Sequence, residues 1–208
     1  EKGMYSRAVE YSVGAGIMVG SRLLTGAGYR LKVPAIDLAE VGAGGGSIIW
    51  LDAGGAMQIG PRSAGANPGP VCYGRGGSQP TVTDANLVLG HIDVAGFAGV
   101  AEHSDGRQQA AAAIDESVGR PLGLDTVDAA AAILAISSNQ LASAIRLVSI
   151  EKGHDPRDFA LFAFGGAGPL HAVGLARELG IPRVLVPRFR GISSALGWLI
   201  SDLRLYYV

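Results

Sequence analysis

A glycine-rich turn between an apolar run and a predicted helix is the strongest chemical signal in this sequence. Phe164-Gly165-Gly166-Ala167-Gly168-Pro169-Leu170-His171 follows a nearly all-apolar segment and opens a helical pattern. Glycine has no Cβ atom, so a ligand can approach its backbone closely, and open N–H groups at a helix start favour anions. The turn therefore predicts nucleotide contact through Gly165, Gly166 and Gly168. The alternative is a tight strand-to-helix turn in which glycine serves packing alone.

This turn departs from two well-known phosphate loops. Leu170 stands where the G-x-G-x-x-G fingerprint of dinucleotide-binding proteins needs its third glycine. No Lys-Ser or Lys-Thr pair follows the turn, as a Walker A loop would require. The pattern therefore disfavours both a Rossmann-type binder and a P-loop.

A second glycine run precedes a predicted strand over 48–51. Gly42-Ala43-Gly44-Gly45-Gly46-Ser47 contains three consecutive glycines. Such a run can form a backbone nest for a phosphate or carboxylate, or it can be a flexible connector. The apolar strand directly after it favours an ordered site, so Gly44, Gly45, Gly46 and Ser47 are candidate ligand-binding residues.

The third motif is Thr81-Val82-Thr83-Asp84-Ala85-Asn86, at the start of a predicted short helix that ends at Leu89. Asp84 is the candidate catalytic residue, as a cation ligand or a base. The alternative is a helix cap, which is the most frequent role of Asp in this setting. Before this motif, residues 60–80 contain four prolines and are predicted to form an irregular loop. Its polar side chains from Arg62 to Arg75 are candidate ligand contacts.

Two further side chains with possible chemistry are better explained by packing. Cys72 has no partner cysteine, and a buried small side chain is favoured over a reactive thiol. His171 lies one turn into a predicted helix, where a lone histidine serves packing or hydrogen bonding more often than catalysis.

The composition excludes several classes of protein. Glycine accounts for 32 of 208 residues, about twice the usual share. The net charge of −1 leaves no electrostatic footprint for nucleic acid. The apolar stretches are interrupted well before the ~18 residues of a membrane span, so no membrane association is predicted. A single cysteine rules out a disulfide scaffold and fits a cytoplasmic protein.

The elements that position these motifs divide the chain into two parts. Residues 1–100 are glycine-rich, with a predicted β-hairpin over 48–59. Residues 101–208 carry predicted helices over 108–118, ended by Gly119-Arg120-Pro121, and 126–150. They also carry a buried strand over 159–164, a helix over 170–179 and a strand over 183–186. Strand, glycine turn, helix and strand form a βαβ unit, so the fold class is α/β.

Four segments in order, 41–48, 63–77, 80–86 and 164–172, resemble the A-type subunit of the hydantoinase/oxoprolinase family. The resemblance implies an actin-like, RNase H-like ATPase fold that uses ATP and Mg²⁺ on a small cyclic amide or ketone. It also implies a B-type subunit or domain as partner. In this reading Gly165, Gly166 and Gly168 approach adenine or ribose, and Gly44 to Ser47 line the cleft. Asp84 positions a metal ion or water.

The Asp-x-Gly-Gly-Thr phosphate segments expected in such a fold are absent from residues 1–208; Asp52-Ala53-Gly54-Gly55-Ala56 has the spacing but lacks the Thr. The chain also ends in a strand-like run, Leu205-Tyr206-Tyr207-Val208. We therefore expect a fragment of a longer polypeptide. Two hypotheses stay open: a fragment of an ATP-dependent hydantoinase, oxoprolinase or ketone carboxylase, and a non-catalytic module for subunit assembly.

Overall fold

The computed structural model describes residues 39, 41–93 and 105–201 in full, and the backbone of four strands before them. β1 (Ser6–Val13) pairs antiparallel with β4 (Tyr29–Ala35), and β2 (Ile17–Val19) pairs antiparallel with β3 (Arg22–Leu24). The strand-like end of the chain at 205–208 lies outside the described residues.

A β-hairpin follows, as the sequence predicts. β5 (Ser47–Leu51) pairs antiparallel with β6 (Met57–Ser63). The Asp52 carboxylate closes the turn by accepting hydrogen bonds from the N–H groups of Gly54 and Ala56, both at 2.9 Å. The prediction that residues 60–80 hold no regular element is wrong at its start, because pairing with β5 extends β6 to Ser63. Val71–Tyr73 also forms one 3₁₀ turn.

Four helices and a π turn build the middle of the chain. α1 spans Val82–Val88; α2 (Gly106–Ile114) runs through a π turn (Asp115–Gly119) into α3 (Arg120–Leu122), and α4 spans Thr126–Val148. The prediction that Gly119-Arg120-Pro121 ends the helix is wrong. The π turn resets the hydrogen-bond pattern and places Pro121 in a first-turn position, where its missing N–H is tolerated. Gly123, at φ 67°, ends α3 instead.

α4 is the central helix of the packing. Its first half contributes Ala130 and Ile133 to a core with the hairpin, α1 and α2, and its second half contributes Ala142 to a core with α5. Among the described residues, the helical stretch Thr126–Lys152 alone has the length and hydropathy of a membrane span. Both cores bury side chains of this helix, and 28% of its apolar window is buried.

The predicted βαβ unit is confirmed. β7 (Ala160–Phe162) pairs in parallel with β8 (Arg183–Leu185), α5 (Gly168–Leu179) connects them, and α6 (Ser193–Ile200) follows. The prediction of a buried strand over 159–164 is wrong for one of its faces. Leu161 packs on the α5 core, whereas Phe162 on the other face is 52% exposed. The described residues form a mixed α/β structure, with α5 on one face of this pair.

Candidate functional site

The carboxyl ends of β7 and β8 meet at one edge of the parallel pair. The turn from Gly165 to Gly168 follows β7, and the segment from Arg188 to Ile192 follows β8. The Gly165 N–H joins them by donating to the Arg190 carbonyl at 2.7 Å. In open α/β sheets, ligands bind in the crevice outside the carboxyl ends of the strands. This edge is therefore the candidate site.

The glycine turn presents backbone donors to open space. Gly165 has φ 84°, a conformation that favours glycine. A Cβ atom added at Gly165, Gly166 or Gly168 would meet no atom within 4 Å. Within the described residues, no protein acceptor pairs with the N–H groups of Gly166, Ala167 or Gly168. The turn thus combines the open N–H groups and helix start that favour an anion.

Two cavities flank this turn, one lined in part by two arginines and the other mainly by apolar side chains. One, of about 430 Å³, is lined by Gly165, Gly166, Arg188 and Arg190 among others. The second, of about 180 Å³, is lined by apolar side chains and backbone: Leu161, Phe162, Ala163, Phe164, Gly168, Ala172 and Leu175. Basic and apolar lining therefore meet at the N-terminus of α5.

The sequence analysis missed the two arginines of the basic cavity. Neither guanidinium pairs with a carboxylate of the described residues, and that of Arg188 lies 5.7 Å from the centre of the Phe189 ring. The signal for them is an Arg-Phe-Arg sequence one residue after the predicted strand over 183–186, near the edge where ligands bind in such sheets.

The second glycine run is an ordered turn rather than a flexible connector. The Gly44 N–H donates to Ser47 Oγ at 2.9 Å, and Ser47 Oγ donates to the Gly42 carbonyl at 3.2 Å. None of its four glycines has a positive φ. The hydroxyl of Ser47 therefore stabilises the turn from inside.

This run also contacts the first glycine turn. Thr83 holds the Gly45 carbonyl by donating from its N–H at 2.8 Å and from its hydroxyl at 2.9 Å. A Cβ atom at Gly45 would lie 2.8 Å from Thr83 Oγ1 and 3.7 Å from the Cβ of Ala167. The two motifs, far apart in the sequence, thus meet beside the N-terminus of α5.

Replacing Gly45 with alanine is expected to lower the free energy of unfolding by about 1–2 kcal/mol, since the new methyl group displaces the Thr83 hydroxyl. Gly44→Ala is the matched control, because a Cβ atom there meets nothing within 4 Å. Chemical denaturation of both variants measures the difference. Equal losses would contradict the close approach at Gly45.

Asp84 is fully buried at the third position of α1, whose N-cap is Thr81, so the alternative of a capping role is found in the form of a capping box and not of an N-cap. Its carboxylate accepts hydrogen bonds from the N–H of Val71 at 3.2 Å, Cys72 at 2.8 Å and Thr81 at 2.8 Å, and from the Thr81 hydroxyl at 2.8 Å. The Thr81 hydroxyl in turn accepts from the Asp84 N–H, which forms a capping box. A catalytic role of Asp84 stays a prediction.

The Cys72 thiol lies beside this carboxylate. Burial, and then the charge of Asp84, raise the pKa of the thiol far above its usual value. A thiol that stays protonated is a poor nucleophile, so its reactivity is low. The interpretation of Cys72 as a buried small side chain is confirmed by its position in the core.

Magnesium is implied by the family resemblance, and the described residues were compared with this expectation. Within 41–93 and 105–201, no three His, Cys, Asp or Glu side chains gather to hold a metal ion. Mg²⁺ is commonly bound through one or two carboxylates together with substrate phosphates. We therefore assign no metal ligand in this part of the chain.

The sequence of this chain is similar to those of several known proteins. A family model described as hydantoinase/oxoprolinase matches residues 1–207. Caprolactamase subunit alpha from Pseudomonas jessenii is 49% identical over 176 residues, covering 85% of this chain and 25% of the relative. The acetophenone carboxylase gamma subunit from Aromatoleum aromaticum is 43% identical over 176 residues, covering 84% and 24%.

Two solved structures are similar to the chain. The crystal structure of ATP-dependent caprolactamase from Pseudomonas jessenii gives a TM-score of 0.73 at 46% identity, covering 84% of this chain and 25% of that chain. The nucleotide-free structure of acetone carboxylase gives a TM-score of 0.72 at 36% identity, covering 81% of this chain and 24% of that chain. The chain thus spans about a quarter of the length of these relatives. It belongs to the hydantoinase/oxoprolinase family.

Proposed function

We propose that this chain carries part of the nucleotide site of an ATP-dependent enzyme that opens a cyclic amide. The observation that carries the proposal is a glycine turn with open N–H groups between a basic cavity and an apolar one. ATP has the matching parts, an aromatic base and an anionic phosphate chain. Membership of the family and the ATP-dependent caprolactamase relative support the same assignment.

Each candidate residue has a role in this proposal. Gly165, Gly166 and Gly168 let adenine or ribose approach the backbone. Gly44 to Ser47 line the cleft beside them. Arg188 and Arg190 donate hydrogen bonds to the nucleotide and offset phosphate charge, as guanidinium groups commonly do.

The proposed chemistry makes an amide oxygen a leaving group. The γ-phosphoryl group of ATP is transferred to the amide oxygen of the ring, and ADP departs. A water molecule then adds to the activated carbon, the C–N bond breaks to give a free amine and an acyl phosphate, and a second water molecule hydrolyses the acyl phosphate to the carboxylate and inorganic phosphate. Catalysis of phosphoryl transfer is mostly positioning and charge stabilisation. Backbone donors and arginines contribute to this without forming a covalent bond.

A ketone carboxylase is the second candidate function. The 43% identity to an acetophenone carboxylase gamma subunit and the TM-score of 0.72 with acetone carboxylase favour it. ATP would then activate a substrate for carboxylation, on the same nucleotide site. Because these relatives are subunits of larger enzymes, we also propose a second, B-type subunit or domain as partner.

We propose further that the chain is part of a longer polypeptide with an actin-like ATPase fold. The coverage of about a quarter of its relatives supports this. So does the uncovered face of the parallel pair, where Phe162 and Leu185 are each 52% exposed, since parallel sheets are covered on both faces.

ATP turnover tests the proposal in the longest polypeptide that contains this sequence, with its partner subunit. We expect ADP release only when a lactam, a hydantoin, 5-oxoproline or a ketone is added. Release of ring-opened product identifies the amidohydrolase, and incorporation of bicarbonate identifies the carboxylase. ATP turnover in the absence of these substrates would count against both functions. So would a lack of turnover with every one of them, which would favour a non-catalytic assembly module.

The roles proposed for Arg188 and Arg190 are tested by replacing these residues. Replacing both with alanine is expected to raise the KM for ATP at least about tenfold, since each charge-assisted hydrogen bond contributes about 1.5–3 kcal/mol. Arg183→Ala is the control, because Arg183 lies at the opposite end of β8. An unchanged KM for ATP in the double variant would contradict the proposed contact between these arginines and the nucleotide.

A further inference from the structure

The cavity of about 430 Å³ beside the glycine turn contains an aromatic side chain as well as two arginines. Phe189 lines this cavity and is 57% exposed, although aromatic side chains gain much from burial. Cavities that bind small molecules combine aromatic surface with a few polar groups that fix the orientation of the ligand. An aromatic ring that shares a cavity with two guanidinium groups therefore indicates a ligand that is both flat and anionic.

One face of the Phe189 ring is already covered. The guanidinium carbon of Arg188 lies over the ring, 5.7 Å from its centre, as a cation does on an aromatic face. Because more than half of the Phe189 side chain stays exposed, the opposite face of the ring is open. A guanidinium group stacked on a ring keeps its N–H donors in its own plane, so Arg188 can support the ring and still bind an anion.

The backbone around Phe189 is fixed by hydrogen bonds. The Phe189 carbonyl accepts from the Ile192 N–H at 3.0 Å and from the Ser193 hydroxyl at 2.9 Å. The carbonyl of the next residue, Arg190, accepts from the Gly165 N–H at 2.7 Å. The ring thus stands on a segment that is bonded both to the start of α6 and to the glycine turn. An aromatic group held in this way loses little conformational entropy when a ligand binds.

The smaller cavity suits a nucleobase less well. Its side chains are all apolar: Leu161, Phe162, Ala163, Phe164, Ala172 and Leu175. A base carries N–H donors and ring-nitrogen acceptors along its edge, and burying such groups without partners costs free energy. A base on Phe189 would place its flat face on apolar surface, with the guanidinium and backbone groups of the same cavity available to its edge.

We propose that Phe189 is the platform on which the adenine ring of the nucleotide stacks, with Arg188 supporting the other face of the phenyl ring. The inference rests on the nucleotide site proposed above and adds a residue that determines specificity for the base. Stacking uses the flat face of the base, so it requires an aromatic side chain and tolerates the exchange of one aromatic ring for another.

Calorimetric titration with ADP tests this in the longest polypeptide that contains the sequence. Phe189→Leu keeps an apolar side chain but removes the aromatic face, whereas Phe189→Trp keeps an aromatic face. We expect Phe189→Leu to weaken ADP binding about tenfold or more and Phe189→Trp to retain the affinity. Phe159→Leu is the control, because Phe159 lines neither cavity, and it should leave ADP binding unchanged.

Several results would overturn the inference. Wild-type ADP affinity in a folded Phe189→Leu variant removes Phe189 from the site and leaves the nucleotide site standing. Equal weakening by Phe189→Leu and Phe189→Trp assigns the effect to packing. A loss in Phe162→Leu but not in Phe189→Leu places the base in the apolar cavity. If the unvaried protein binds no ADP, the proposed function fails and the inference fails with it.

Photolabelling with 8-azido-ADP gives a measurement on the unvaried protein, which decides the question if Phe189→Leu does not fold. The reactive azide is attached to the base, so the labelled peptide marks where the base lies. Label on residues 188–192 supports the stacking on Phe189. Label on other segments alone refutes it.

Discussion

Replacing Asp84 with alanine is expected to lower the free energy of unfolding by about 4 kcal/mol, because three buried N–H groups lose their acceptor at once. The carboxylate joins the loop at Val71 and Cys72 to the start of α1. Loss of this junction loosens both. Urea denaturation followed by tryptophan fluorescence in a Trp198→Phe background measures the change, since the Trp50 indole N–H donates to the Gly60 carbonyl at 2.8 Å and reports on the hairpin.

The matched control is the equivalent position of another helix. Asp128 occupies the third position of α4, as Asp84 does in α1, but it is exposed. Asp128→Ala should cost less than about 0.5 kcal/mol, as surface substitutions usually do. Similar losses at the two positions would contradict the role of Asp84 as a buried junction.

Asp84→Asn separates the junction from a catalytic role. The amide keeps the size of the side chain but turns an NH₂ donor toward backbone donors, so an intermediate loss of stability is expected. ATP turnover is then measured at a temperature where the variant is folded. A decrease of less than about tenfold supports positioning, whereas a decrease of 10²–10⁴-fold, the usual contribution of a general base, supports catalysis.

Gly60→Ala is expected to lower the free energy of unfolding by about 3 kcal/mol and to weaken nucleotide binding. Gly60 has φ +65°, so any side chain is strained there by about 1–2 kcal/mol. The added Cβ atom would also overlap the Gly42 carbonyl oxygen. That oxygen accepts the Ser47 hydroxyl, and moving it displaces the second glycine run.

Gly55→Ala is the control that separates the cost of the atomic overlap in Gly60→Ala from the cost of the left-handed backbone. Gly55 has φ +80° in the hairpin turn, but a Cβ atom there meets nothing within 4 Å. It should therefore cost only the strain of the left-handed backbone. Denaturation and ADP titration of both variants give the comparison. Equal costs, or unchanged nucleotide affinity in Gly60→Ala, would show that the contact with Gly42 does not support the site.

Local signals in the sequence were sufficient to predict most of the helices and strands. The hairpin, α4 and the β7–α5–β8 unit follow from turn residues and hydrophobic periodicity, which act over a few neighbouring residues. The end of α2 was not predictable in this way, because a π turn shifted the hydrogen bonds before Pro121. The exposure of Phe162 depends likewise on which faces neighbouring elements cover.

The family motifs, the glycine turn before α5 and the start of a helix near Asp84 could be predicted from the sequence, since each is a short pattern with its own chemistry. Packing between distant elements places Gly45 beside Ala167, and it brings Arg188 and Arg190 to the same cavity as Gly165. These relations depend on how distant elements pack, and packing between distant elements leaves no pattern in either local segment.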